Sequence, residues 1–196
     1  MKKRGVLILI AAIIVVLLLA FAVLRTVAER SLGVEVRRAV SAYRTGVLNP
    51  DGTTTQSLSD ALYLRLNASD RLLTLAAKYD EVYDEYSSLR TAYNEMLAEV
   101  KSGPDFGAIQ AANTELGYAF DVCYSALLPL VSGKSAETLA SCADDLDAAQ
   151  NAVDAAGEAY NVFIRSFRED TLKKFPNSFM KLFLKTPEPA LWPNID

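Results

Sequence analysis

Cys123 and Cys142 are the only two cysteines in the chain, and no histidine accompanies them. Without an imidazole, the Ser-His and Cys-His nucleophile arrangements lack their general base. Histidine–zinc sites lose their ligand, and two thiolates cannot complete a four-thiolate site. The cysteines do not form a Cys-x-x-Cys motif, and nothing around them in sequence lowers a thiol pKa, so redox catalysis is not expected. Two readings stay open for the pair. In an oxidising compartment it forms a disulfide. Otherwise both thiols act as small apolar core residues.

The carboxylates are the remaining candidates for chemistry. Asp80, Glu81, Asp84 and Glu85 fall within two helical turns, and acids one turn apart share a face, as in a divalent-cation site. The plainer reading is a solvated acidic face. A di-iron bundle needs Glu-x-x-His pairs, which this chain cannot supply. Asp144, Asp145 and Asp147 read the same way, and Tyr79, Tyr83, Tyr86 and Tyr93 read as core and rim packing. The net charge of −4 leaves no basic excess for nucleic acid. No catalytic, cofactor-binding or metal-ligating residue is assigned.

The elements that must position these groups begin with an unbroken apolar run, Val6–Leu24, preceded by Lys2, Lys3 and Arg4. As a helix it spans roughly 28 Å, close to the hydrocarbon thickness of a bilayer. A core helix in so small a protein would show a polar face. The competing reading is a secretory signal cleaved near Ala22, because Ala20-Phe21-Ala22 has the small-x-small form. The run is longer than a secretory apolar region and crosses that site without a polar break, which favours an uncleaved anchor. The basic cluster predicts a cytoplasmic N-terminus. Arg25, Arg30, Arg37 and Arg38 dilute that signal, and the cysteine pair favours an extracytoplasmic domain.

After the anchor, residues 27–45 continue as helix, with apolar spacing at Val27, Val34, Val40 and Tyr43 and a candidate kink at Gly33. Asn49-Pro50-Asp51-Gly52 marks a loop over 46–55. From Ser57 to Lys101 there is no glycine or proline. Ala68, Leu72, Leu75, Tyr79, Val82, Tyr86, Leu89, Tyr93, Met96 and Val100 step by four and three, a heptad seam. A bend near Tyr79–Glu81 would keep this helix from outrunning its neighbours. Further helices are expected over 107–128 and from an N-cap at Ser135 to about Lys174. A turn between Ser132 and Gly133 sets Cys123 opposite Cys142. The same register pairs Ala126 with Leu139, Ala119 with Leu146, Leu116 with Ala149, Ala112 with Val153 and Ile109 with Ala156. Large thus meets small in every layer but the cysteine one. Asn177 caps a short apolar stretch, Phe179 to Lys185. Its neighbours Arg165, Arg168, Lys173, Lys174, Lys181 and Lys185 allow either a seat on an anionic membrane surface or packing against the bundle.

Several stretches resemble the LemA family. Leu72-Leu73-Thr74-Leu75-Ala76-Ala77-Lys78-Tyr79 is similar to its Asn-Leu-Val-x-x-Ala-Lys-Lys-Tyr stretch. Tyr160-Asn161, Phe167 and Phe175-Pro176, with Phe179 and Leu182 beyond, are similar to its C-terminal pattern. Arg71 and Arg168 depart from it, each standing where Asn is usual, and Phe-Pro falls one residue late. The resemblance implies a four-helix bundle without recognised catalytic residues. Some descriptions of that family place the short N-terminus outside, opposite to the orientation that the charges predict.

The sequence therefore predicts an all-α fold, an N-terminal transmembrane helix followed by an antiparallel up-and-down bundle of long helices. Three segments are expected: 1–26 as cytoplasmic N-terminus and anchor, 27–175 as a LemA-like bundle, and 176–196 as a short amphipathic helix and Pro-rich tail. The function expected is that of a non-catalytic interaction or scaffold module at the bacterial cell envelope. It would be single-pass in the plasma membrane through residues 6–24, with a protein partner and no cofactor. The alternatives are a secreted helical ligand-binding protein and a carboxylate-based metal-binding protein.

Overall fold

The computed structural model describes residues 2–49, 51–184 and 187–193. The described residues form α1 (Lys2–Thr45), α2 (Leu58–Ala76), α3 (Tyr83–Ser102), α4 (Phe106–Leu127), α5 (Lys134–Phe167) and α6 (Asn177–Met180). Short 3-10 turns cover Asp80–Val82 and Lys181–Phe183, and a π turn covers Arg168–Leu172. Among these residues there is no strand, only an isolated bridge between Leu48 and Thr54. The fold is all-α, with packed long helices behind a long apolar first helix.

The chain gathers into two compact units, Met1–Ser41 with Ile164–Pro189, and Ala42–Phe163 with Ala190–Asp196. The divisions fall inside α1, between Ser41 and Ala42, and inside α5, between Phe163 and Ile164. Residues 190–193 belong to the second unit.

In the first unit, α1 continues through Gly33 without a break. Every residue from Ala11 to Val27 is exposed. Burial starts at Ala28 and continues at Leu32 and Val36, which form a small core with Leu172 and Met180, flanked by Phe167 and Leu184. Of the positions expected to pack, Val27 and Val34 are 49 % and 44 % exposed, Val40 is half-buried and Tyr43 is buried. The buried stripe instead steps by four through Ala28, Leu32 and Val36.

In the second unit, α3 packs against both α2 and α4. The core is built from Leu58, Leu62, Leu66, Leu72, Leu89, Met96, Ile109, Leu116, Phe120, Leu127 and Leu139. The faces used to set the α4–α5 register turn inward. Ile109, Leu116, Ala119 and Cys123 are buried, as are Leu139, Cys142, Leu146, Ala149, Val153 and Ala156, while Ala112 and Ala126 are half-buried.

The expected bend near Tyr79–Glu81 is a complete break between α2 and α3. The last turn of α2 tightens through Lys78 N–H to Leu75 C=O and Tyr79 N–H to Ala76 C=O, and Tyr79 is extended. The acids explain the break. In one continuous helix Asp80–Asp84 and Glu81–Glu85 would stack like charges one turn apart, at about 0.2–0.5 kcal/mol each. Starting a new helix instead places Asp84 and Glu85 in the first turn of α3, where the helix dipole favours acids.

The remaining boundaries have local causes. Ser57 caps α2 by accepting from Asp60 N–H at 2.9 Å, and Asp105 caps α4 by accepting from Ala108 N–H at 3.1 Å. α5 begins at Lys134, so Ser135 lies in its first turn and is not the cap that was expected. Gly133 precedes the helix with φ +56°, and its carbonyl accepts from Glu137 N–H. A left-handed glycine there ends the connection two residues earlier than a cap at Ser135 would.

Candidate functional site

Cys123 and Cys142 are both free and both fully buried. Burial pushes the Cys123 thiol up to about 11, with a smaller push from the Glu85 carboxylate. Burial also raises Cys142, against the opposing charge of Arg71. Thiols held protonated in this way are poor nucleophiles and poor metal ligands at neutral pH.

Two residues of the sequence-predicted motif, Tyr160 and Asn161, lie in the second unit and are buried. The Asn161 side chain makes a two-point clamp: its Nδ2 donates to the Trp192 carbonyl at 2.8 Å, and its Oδ1 accepts from the Trp192 N–H at 2.7 Å. A primary amide has one donor and one acceptor edge, so it can pair with an extended backbone as a neighbouring strand would. The indole is 4 % exposed. It stands edge-on to Phe106 at 5.5 Å, and Phe106 also meets Tyr160 at 5.5 Å and Tyr43 at 5.6 Å. The indole fills the space above Gly157, where an added Cβ would lie 2.5 Å from Trp192 Cδ1. Phe175 and Pro176 belong to the first unit, and Phe175 is 85 % exposed. The motif residues are thus divided between a docking clamp and a surface position.

A second buried polar group was not expected. Arg65 is 5 % exposed on the inward face of α2. It donates through Nη1 to Gln150 Oε1 and through Nη2 to the Asn113 carbonyl at 3.5 Å, while its Nε and the Asn113 Oδ1 have no partner. Burial pulls the Arg65 pKa down, and the charges of Asp154, Asp121 and Asp147 oppose that pull. Gln150 in turn donates to Asp154 at 2.7 Å, linking the guanidinium to a carboxylate through an amide. Gly117 leaves room for it: a Cβ there would lie 2.9 Å from Arg65 Nη2. The sequence carried a signal, since Leu58, Leu62, Arg65, Leu72 and Ala76 share a helical face.

The acidic residues do not converge. Asp80, Glu81 and Asp84 are exposed and Glu85 is half-buried. Among the described residues no group of three or more Cys, Asp or Glu side chains is placed to hold a metal ion. An open groove of about 630 Å³ carries Asp84, Glu95 and Glu115 with Ser87, Ser88 and Thr91. A smaller groove of about 320 Å³, lined by Leu64, Ala68, Ala148 and Ala149, includes the Arg71–Asp145 ion pair. Asp144 and Asp147 are exposed.

The largest exposed apolar surface is on α1. Val6, Ile8 and Ile13–Leu19 are each more than half exposed, and this helix is long and apolar enough to cross a membrane. Beside it in the first unit lies the C-terminal segment. Phe183 meets Phe21 edge-on at 4.9 Å and Phe179 at 5.4 Å, while Met180 is buried with Ala28, Leu32 and Val36. Arg168 donates to the Pro189 carbonyl at 2.6 Å, and Lys181 pairs with Glu188 at 3.2 Å. These contacts define an all-α protein with one membrane-length apolar helix and a segment folded against that helix. No family model, curated protein or solved structure matches the chain.

Proposed function

We propose that this is a membrane-anchored, non-catalytic helical-bundle protein, LemA-like, that serves as an interaction or scaffold module at the bacterial cell envelope. The observation that carries the reading is the exposure of every side chain from Ala11 to Val27. Leaving so many large apolar side chains in water costs about 1.5–3 kcal/mol each relative to burying them. A bilayer removes that cost, and a single span of this length fits one. The similarity of Leu72–Tyr79 and Tyr160–Pro176 to LemA stretches supports the bundle's kinship. The buried, protonated thiols and the dispersed carboxylates support a non-catalytic role. Lys2, Lys3 and Arg4 ahead of the span support a cytoplasmic N-terminus and an extracytoplasmic bundle.

Labelling intact cells with a membrane-impermeant maleimide at an exposed reporter, Ser87→Cys in a chain carrying Cys123→Ala and Cys142→Ala, tests the side, and labelling the wild type after lysis and denaturation, with or without reductant, tests the thiol state. An extracytoplasmic bundle is labelled at the reporter without cell lysis. Protection until lysis would reverse the topology. Carbonate extraction should leave the chain in the membrane fraction, and N-terminal sequencing should recover Met1 or Lys2. A mature chain starting after Ala22 would replace this reading with the secreted one.

A further inference from the structure

We infer that the C-terminal segment from Phe175 to Phe183 is a second membrane contact, an interfacial foot that sits in the lipid headgroup layer beside the end of the α1 span. The inference rests on the membrane-anchor reading of α1 and adds a site to it.

The position of the foot follows from the Phe21–Phe183 ring contact. Phe21 lies three residues before the end of the apolar run at Leu24, which is about 5 Å inside its boundary. Arg25 follows at once. A side chain stacked edge-on to Phe21 therefore stands at the depth where hydrocarbon gives way to headgroups. Phe179 touches Phe183 from the next turn, and Met180 fixes the same segment to Ala28, Leu32 and Val36 just beyond the span. The depth is thus set by packing on α1, on whichever side of the membrane that end of the helix lies.

The free face of the foot suits that layer. Phe175, Leu182 and Phe179 are 85 %, 71 % and 48 % exposed. Lys173 and Lys174 flank them, with side chains 64 % and 66 % exposed, each paired one turn back with Glu169 or Asp170. Exposed large apolar side chains bordered by charged ones suit a segment that lies in the interface plane. One exposed phenylalanine needs no explanation. Phe179 continues the exposed apolar surface of the span through Phe183 and Phe21, and Phe175 and Leu182 add exposed apolar side chains to the same short segment. The occupant is the bilayer that α1 crosses.

The test uses the full-length chain carrying Cys123→Ala and Cys142→Ala, reconstituted into phosphatidylcholine–phosphatidylglycerol vesicles. A polarity-sensitive fluorophore is attached to Leu17→Cys, Phe175→Cys or Leu182→Cys in turn. Lipids with a doxyl quencher near the headgroup or near the acyl-chain end report depth, and circular dichroism checks that each variant keeps its helices. The label at position 17 should be quenched more by the deep quencher. Labels at 175 and 182 should be quenched more by the shallow one, with blue-shifted emission. Deep quenching at 17 combined with water-like emission and no quenching at 175 and 182 would overturn the foot and leave the anchor standing. No quenching at 17 would overturn both.

Discussion

Asn161 holds Trp192 by both edges of its side-chain amide, at 2.8 and 2.7 Å, and so ties the last described residues of the chain to the middle of the bundle. Both partners are buried, with Asn161 1 % and Trp192 4 % exposed. Water cannot replace either bond without entering the core. Replacing Asn161 by Ala leaves the Trp192 N–H and carbonyl unpaired, at about 1–3 kcal/mol. Because Trp192 is the only tryptophan, its emission reads the clamp alone. Asn161→Ala in detergent micelles should shift that emission to the red and make it accessible to acrylamide, with helix content unchanged. Unshifted emission would show that the aromatic contacts hold the indole without the amide.

The Gly157–Trp192 contact makes a sharper demand. A Cβ at 157 would meet indole carbons at 2.5 Å, whereas one at Gly107 meets nothing nearer than the Asp105 carboxylate at 3.5 Å. Gly157→Ala should cost about 1–3 kcal/mol by overpacking, or expel the tryptophan. Gly107→Ala should be neutral or stabilising by up to about 1 kcal/mol, because alanine suits a helix better. Denaturation midpoints of the two variants, read beside tryptophan emission, separate a packing effect from a propensity effect.

The sequence made the helices, their inward faces and the membrane-length run legible because each depends on local periodicity and composition. The break at Ala77–Val82 was readable only in part: the bend was expected from helix length, while its completeness came from the stacked acids Asp80–Glu85. Trp192 was not placed, since a tail containing Pro187, Pro189 and Pro193 carries no periodicity. It docks on residues far away in sequence, the Asn161 amide, Phe106 and Gly157. Arg65 was legible in principle from its position on an apolar face. Its partners Asn113 and Gln150 lie on other helices, and no local pattern points to them.

Arg65 is a buried cation whose direct hydrogen-bond partners are neutral, an amide oxygen and a backbone carbonyl. Its desolvation is offset by Gln150 and by charges standing further off. Removing that acceptor with Gln150→Ala should cost about 1.5–3 kcal/mol. Arg65→Met has nearly the same volume and removes the charge as well, so it should be neutral or stabilising by about 1–4 kcal/mol. In the double variant the Gln150→Ala penalty should vanish. Urea unfolding of the four proteins gives the coupling energy directly. A large loss in Arg65→Met would show instead that the guanidinium is net stabilising.

The cysteines predict a loss of stability in alkali. Cys123 has its folded pKa raised to about 11 from an ordinary value of 9.0, chiefly by burial. A raised thiol pKa means that the folded state keeps its proton while the unfolded chain gives it up. The thiol's contribution is therefore fully present below about pH 9, declines as pH rises through about 11, and is constant beyond. About 2–3 kcal/mol should be lost across that window. Cys142 and Tyr43 are also raised by burial and add alkaline losses of the same sign. The contrast to measure is thus the wild type against Cys123→Ala, in which the tyrosine cancels. The stability gap between them should be constant from neutral pH to about 9 and then narrow by about 2–3 kcal/mol toward 11. A gap independent of pH would mean that the Cys123 thiolate meets solvent in the folded protein, contrary to its complete burial between the helices.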